Sequence, residues 1–392
     1  MKKIESVYKE KKECCGCTAC EKICPKNAIT MSADEEGFLY PLINHEKCIN
    51  CYLCTKICSF SKKGTNNTKN SVLDVYAAKH KNENVRMNSS SGGVFTAISD
   101  YVLENKGVVF GAALDKNIEV SHMKVTSKDE RDRLRGSKYV QSNLKDTFNE
   151  VKQLLKQNIP ILFTGTPCQV DGLKGYLRNE DTSNLILCDI VCHGVPSPLI
   201  FNEYIKYIEN ITKKNVIDYK CRDKSNGWHT HTEKVVFSDG NEDNSSKVLS
   251  VYKNLFYSHN MLRPACHNCK YTNLNRGSDI TISDYWGIEK SMPSFDDNKG
   301  ITLILVNSDK GEKCFAEIEK MIEYRKSNTD DCIQPQLIRP SEISIERENF
   351  WRDYKKYGFE YISKKYGRSD IISKIKRKVR TTIICIKRRD NK

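Results

Sequence analysis

The chain has 392 residues and a formal charge of +14, with 64 Lys and Arg against 50 Asp and Glu. Apolar residues at 38% and charged residues at 29% exclude a disordered chain, and the length suits two or three domains with a sizeable core. No apolar run nears the roughly 18 residues of a bilayer span, and MKKIESVYKEKKE lacks the apolar stretch of a secretory signal. A cytoplasmic location is therefore expected, where thiols stay reduced and 18 cysteines point to metal rather than disulfides.

Half of those cysteines come early. Cys14-x2-Cys17-x2-Cys20-x3-Cys24-Pro25 is repeated as Cys48-x2-Cys51-x2-Cys54-x3-Cys58 after 23 intervening residues. This is the two-cluster ferredoxin pattern, in which the fourth cysteine of each run ligates the other cluster. The expected ligand sets are Cys14, Cys17, Cys20 and Cys58 for one [4Fe-4S] cube, and Cys48, Cys51, Cys54 and Cys24 for the second. A zinc site would need only two pairs of these thiols. Cys15 breaks the register and reads as a bystander. Residues 1–62 are thus expected to form a ferredoxin domain that passes single electrons and makes or breaks no bonds.

The polar stretch 61–71 reads as a linker. Beyond it the apolar pattern predicts a strand over 72–78, a helix over 93–103 and a strand over 107–114. A strand over 159–164 runs into a helix ending near Leu177, and a strand over 185–191 into a helix over 198–211. Strands dominate 216–250, with a turn signal at Asp239-Gly240. The expected fold class is α+β or α/β: the ferredoxin domain, a larger mixed α/β domain over 72–338 and a helical, basic tail over 339–392.

Several motifs of the larger domain carry chemistry. Ser89-Ser90-Ser91-Gly92-Gly93 precedes a helix, where free N–H groups suit an anion such as a cofactor phosphate, although an ordinary cap has the same composition. Gly136-Ser137-Lys138-Tyr139-Val140-Gln141-Ser142 sets a lysine beside hydroxyls and is equally ambiguous alone. Gly165-Thr166-Pro167-Cys168-Gln169 and Asp189-Ile190-Val191-Cys192-His193-Gly194 each follow a strand, at the sheet edge where ligands bind. Cys266-x2-Cys269 leads into Asp279-Ile-Thr-Ile-Ser-Asp284-Tyr-Trp286-Gly287. Cys168, Cys192, Cys266 and Cys269 are enough for a third [4Fe-4S] cluster. Alternatively, the first two are small buried residues and the CxxC pair joins His267 in a zinc knuckle. His193 reads as a structural histidine or a proton donor, and His229 and His231 as alternate residues on one strand face. Cys188, Cys221, Cys314, Cys332 and Cys385 have no partner spacing.

Behind a two-cluster ferredoxin, the segments SSSGG, GSKYVQS, GTPCQ, CHGVPSP and SDITISDYWG resemble the family of coenzyme F420 hydrogenase/dehydrogenase beta subunits. The resemblance covers roughly residues 10–340. It implies an iron–sulfur flavoprotein oxidoreductase whose larger domain is of a flavin-binding type, holds FAD and exchanges hydride with a deazaflavin. It also implies that Ser91, Gly92, Gly93 and Lys138 contact the cofactor and that Cys168, Cys192, Cys266 and Cys269 ligate the third cluster. Ser283 and Cys221 depart from the family's usual residues. Relatives of this layout also occur among cell-surface polysaccharide genes, so a non-catalytic electron relay docking to a partner enzyme is the alternative function. Either way an electron donor or acceptor protein is an expected partner.

The positive charge belongs to the tail. Residues 362–392 hold 12 Lys and Arg against 2 Asp, which is +10 of the +14. Ile371, Ile375, Val379, Ile383 and Ile386 recur there at helical spacing among basic residues. Such a helix suits the inner face of a membrane or a docking partner, or simply a solvated end. Nucleic acid is not expected as a partner.

Overall fold

The computed structural model describes residues 4–60 and 72–367. The linker at 61–71, the amphipathic stretch beyond Ile371 and Cys385 lie outside the described residues.

The repeated cysteine motif becomes a repeated local structure. Strands β1 (Ile29–Ala33) and β2 (Leu39–Ile43) form an antiparallel hairpin. The short helices Ala19–Lys22 and Leu53–Lys56 flank it, each entered through a left-handed residue, Thr18 and Tyr52, both at φ 61°. Because the motifs match, Cys20 and Cys54 fall at the second position of their helices, and the chain reverses sharply between the second and third cysteine of each run.

The larger part is built on eight strands. They are β3 (Asp74–His80), β4 (Val108–Leu114), β5 (Val120–Val125), β6 (Ile161–Gly165), β7 (Leu185–Ile190), β11 (Ile280–Asp284), β12 (Thr302–Val306) and β13 (Ile322–Ser327). Their order is β13-β3-β12-β11-β7-β6-β4-β5. The four in the middle, β4, β6, β7 and β11, run parallel, and the outer pairings are antiparallel. The parallel strands are apolar on both faces, as Ile161, Leu162 and Phe163 show, because helices cover the sheet on either side.

Three antiparallel strands make a second sheet, β8 (Val216–Asp223), β9 (Thr232–Phe237) and β10 (Glu242–Asp243). It packs on the helices Pro198–Thr212 and Ser250–Tyr257 and on Arg347–Tyr366, which kinks at Gly358 (φ 75°). Tyr204, Tyr219 and Tyr252 sit at the centre of that core. One expectation is corrected here. His229 and His231 do not share a strand face, because Gly227 (φ 84°) turns the chain and β9 begins only at Thr232. His229 instead meets Asp296 (Nε2 to Oδ2 2.6 Å), and His231 meets the Tyr257 hydroxyl (3.0 Å).

The ferredoxin motif shares its core with the larger domain. Ala19 and Ile57 belong to the same buried cluster as Phe148, Val170, Leu173 and Tyr176. At the other end, the Ser197 hydroxyl donates to the Glu36 carbonyl (2.5 Å), and the Arg347 guanidinium forks onto the Glu36 carboxylate. No described helix is long and apolar enough to cross a membrane.

Candidate functional site

Every described cysteine is a free thiol. The repeated motif brings its cysteines together crosswise: Cys24, Cys48, Cys51 and Cys54 line one pocket, with Pro25, Ile29 and Ile49 among its walls. Cys51 is exposed there. Burial pushes the Cys20 thiol far above its ordinary pKa, and the charges of Cys17, Cys14, Cys58 and Cys54 add to that rise. The pocket set thus draws Cys24 from the first run to join three cysteines of the second.

A third grouping forms in the larger domain. Cys168 follows β6, at the first turn of the helix Pro167–Tyr176, which Thr166 and Gln169 cap reciprocally. Cys192 follows β7. Cys266 and Cys269 lie on and just after a short 3₁₀ turn, Pro264–Asn268. All four line one cavity with Cys15 and Phe60. Burial pushes Cys266 and Cys269 up to about 12 and 11, so these thiols keep their protons unless a cation displaces them. Cys168 is the exception, its pKa lowered chiefly by its buried neighbour Cys15. His267 stands outside the grouping, its Nδ1 on the Ser341 carbonyl at 2.9 Å. Among the described residues no three His, Cys, Asp or Glu side chains close to the spacing of a single metal ion.

Cys15, the bystander in the motif, is packed against its neighbours. Its side chain lies in a buried patch with Phe60 and Ala265, against which Cys17 of the first grouping and Cys168 of the third both pack. Sequence spacing carries no signal for this contact, which depends on how the domains pack.

The remaining motifs meet at a second place. Ser137 N–H donates to the Ser90 hydroxyl (2.8 Å), which joins the SSSGG and GSKYVQS loops. Of the residues implied as cofactor contacts, three are turned inward. The Ser91 hydroxyl donates to the Ile301 carbonyl (2.7 Å), Gly92 N–H to Thr302 Oγ1 (2.8 Å), and Lys138 Nζ to the carbonyls of Arg133 and Arg135. Gly93 (φ 90°) opens the helix Val94–Glu104. Beside this loop Lys224 Nζ donates to the carbonyls of Arg86, Ser91 and Lys299, and burial lowers its pKa to about 7.

Asp284, at the carboxyl end of β11, organises the neighbourhood. Trp228 Nε1 donates to its Oδ1 (2.8 Å), and Arg222 approaches its Oδ2 (3.3 Å) while donating to the Trp228 carbonyl (2.9 Å). The Trp228 and Trp286 rings stack at 4.9 Å and 4°, with Arg222 5.1 Å from the Trp286 ring centre. Tyr139, His231 and Tyr257 continue the aromatic lining, and Phe256 and Tyr257 lead from there to His193 beside Cys192. His193 Nε2 faces His259 Nε2 at 2.9 Å, and burial lowers its pKa to about 4. The thiol cavity and the aromatic cluster are therefore joined by a few rings.

Family models match both parts of the chain. Residues 75–148 match the model for the N-terminal part of the coenzyme F420 hydrogenase/dehydrogenase beta subunit, and residues 160–331 the model for its C terminus. Residues 13–62 match a 4Fe-4S dicluster domain. One of the subunits of the F(420)H(2) dehydrogenase of Methanosarcina mazei is 23% identical over 321 residues, covering 79% of this chain and 83% of that protein. A chain of the F420-reducing [NiFe] hydrogenase complex from Methanosarcina barkeri, solved as a xenon derivative, aligns at TM-score 0.45 and 15% identity. That alignment covers 76% of this chain and 93% of the solved one.

Proposed function

The chain belongs to the family of coenzyme F420 hydrogenase/dehydrogenase beta subunits, an oxidoreductase family, and we propose that it couples one-electron transfer to hydride exchange. The carrying observation is the series of three four-thiol groupings that ends beside the aromatic cluster around Asp284. Four thiols with no carboxylate among the proposed ligands are the donor set that iron–sulfur cubes take.

Cys14, Cys17, Cys20 and Cys58 would hold the first cube, and Cys48, Cys51, Cys54 and Cys24 the second. Cys168, Cys192, Cys266 and Cys269 would hold the third. FAD would sit against the loop that Ser91, Gly92, Gly93 and Lys138 shape, facing Arg222, Asp284 and Trp286. A flavin takes two electrons as hydride and releases them singly, which is the traffic iron–sulfur cubes carry. In this reading Asp284 orients Trp228 and Arg222, the half-exposed Trp286 offers a stacking face over the buried Trp228, and Tyr257 and Phe256 keep the two sites close. The substrate would be a deazaflavin or another small organic molecule, and the exposed Cys51 marks the face toward an electron-carrying partner protein.

Anaerobically purified protein tests this directly. About twelve iron atoms per chain, four per cube, with flavin absorbance above the cluster shoulder is the expected result. Eight iron atoms without flavin would leave only a relay, and no iron would end the reading.

A further inference from the structure

Arg263 is a fully buried guanidinium, and among the described residues no carboxylate pairs with it. Its bonds go elsewhere. Nε donates to the Cys14 carbonyl (2.7 Å), Nη1 to Gln141 Oε1 (2.9 Å) and Nη2 to the Leu39 carbonyl (2.9 Å), and Nη2 lies 3.6 Å from Cys14 Sγ. The Tyr40 and Phe38 rings stand 4.3 and 5.4 Å from it. Gly16 makes room: a Cβ there would come 2.7 Å from Nη1, and its φ of 71° already disfavours a side chain. The backbone of Arg263 is held just as firmly at the third grouping. Its N–H donates to the Val195 carbonyl (2.9 Å), and its carbonyl accepts from Cys266 N–H (2.9 Å).

A buried charge needs an opposite charge, since desolvation without one costs several kcal/mol. Among these hydrogen-bonded contacts the group that would carry one is the Cys14 sulfur of the first grouping, a thiolate once it ligates a cluster. We propose that Arg263 is a positioning and potential-setting residue for the first cube, holding its midpoint above the value the four thiolates alone would give. Reduction adds one negative charge to the cube, and a fixed cation in a dry site favours that state. Because its backbone is pinned beside Cys266, the same residue fixes the first grouping against the third. Gln141 completes the clamp, its Nε2 donating to the Cys15 carbonyl (2.9 Å). This proposal rests on the cluster reading above.

The test is a potentiometric titration of the anaerobically purified full chain, followed by electron paramagnetic resonance with iron counted in parallel. In Arg263→Gln one cluster is expected to lose at least tenfold in electron affinity, which is about 59 mV for one electron. Arg263→Lys is expected to retain most of the wild-type value. Gln141→Glu places a carboxylate beside Nη1 without removing the guanidinium and is expected to shift the same cluster downward, so it decides the matter if Arg263→Gln loses iron. Unmoved potentials in iron-replete Gln141→Glu, or in Arg263→Gln where it keeps its iron, overturn the proposal alone. A wild-type chain without a cluster at Cys14, Cys17, Cys20 and Cys58 overturns the cluster reading and the proposal together.

Discussion

Gly172 lies directly against Cys17: a Cβ on the glycine would stand 2.8 Å from both Cβ and Sγ of the cysteine. The glycine belongs to the helix Pro167–Tyr176, which carries Cys168 at its start, so one helix both supplies a thiol to the third grouping and seats the first. Gly175, one turn on, leaves similar room for the Ile57 carbonyl (2.7 Å from a Cβ).

Gly172→Ala should therefore disturb the ferredoxin seat although alanine favours helices. Overpacking of this kind costs about 1–3 kcal/mol. Lower thermal stability with loss of the first cluster's signal is expected, and an alanine variant as stable and iron-rich as wild type would refute the close approach.

Cys168→Ala is expected to lower total iron by about a third and leave the two N-terminal clusters in place, since each cube holds four irons. Cys15→Ala should leave iron near wild type, because Cys15 touches members of two groupings without completing either. Equal iron loss in both variants would make Cys15 a ligand.

Asp284→Asn keeps the shape of the side chain but removes the charge that Arg222 and Trp228 share. Flavin per chain should fall at least tenfold in occupancy-limiting conditions, about 1.4 kcal/mol of binding, while iron is retained. Unchanged flavin content would move the proposed seat elsewhere.

Stability should fall in acid through His122. Its ring is buried between the Thr164 carbonyl (2.9 Å) and the Ser142 hydroxyl (2.9 Å), and burial lowers its pKa to about 4. The unfolded chain binds this proton from about pH 6.5 downward, whereas the folded chain resists it until about pH 4. Between those values the unfolded state holds more protons, so stability drops as pH falls, by on the order of 3 kcal/mol. Chemical denaturation from pH 7 to 4.5 should show a shallower decline in His122→Gln, and an identical slope would dismiss the assignment.

Local patterns were legible where spacing carries the geometry. The gathering of Cys24 with Cys48, Cys51 and Cys54 follows from the motif itself, and strands such as β6 and β7 announce themselves by short apolar runs. What the spacing does not encode is contact between distant segments. Arg263 precedes a CxxC and looks like any loop arginine, yet its partner is 249 residues away. Ser91 and Gly92 have the composition of an anion loop, but Ile301 and Thr302 take their polar groups, a competition visible only once β12 lies beside β3. His229 and His231 alternate as a strand would, and the turn at Gly227 overrides that period.

The contact between Arg263 and Cys14 also sets a schedule for synthesis. At about 5–20 residues per second, the ribosome releases Cys14 roughly 10–50 s before the arginine that covers it. During that interval the first thiols are exposed to oxidants and competing metals. Iron loading of the first site would then be completed late, with the chain nearly finished, and factors that guard nascent thiols would matter more for this protein than for a free-standing ferredoxin.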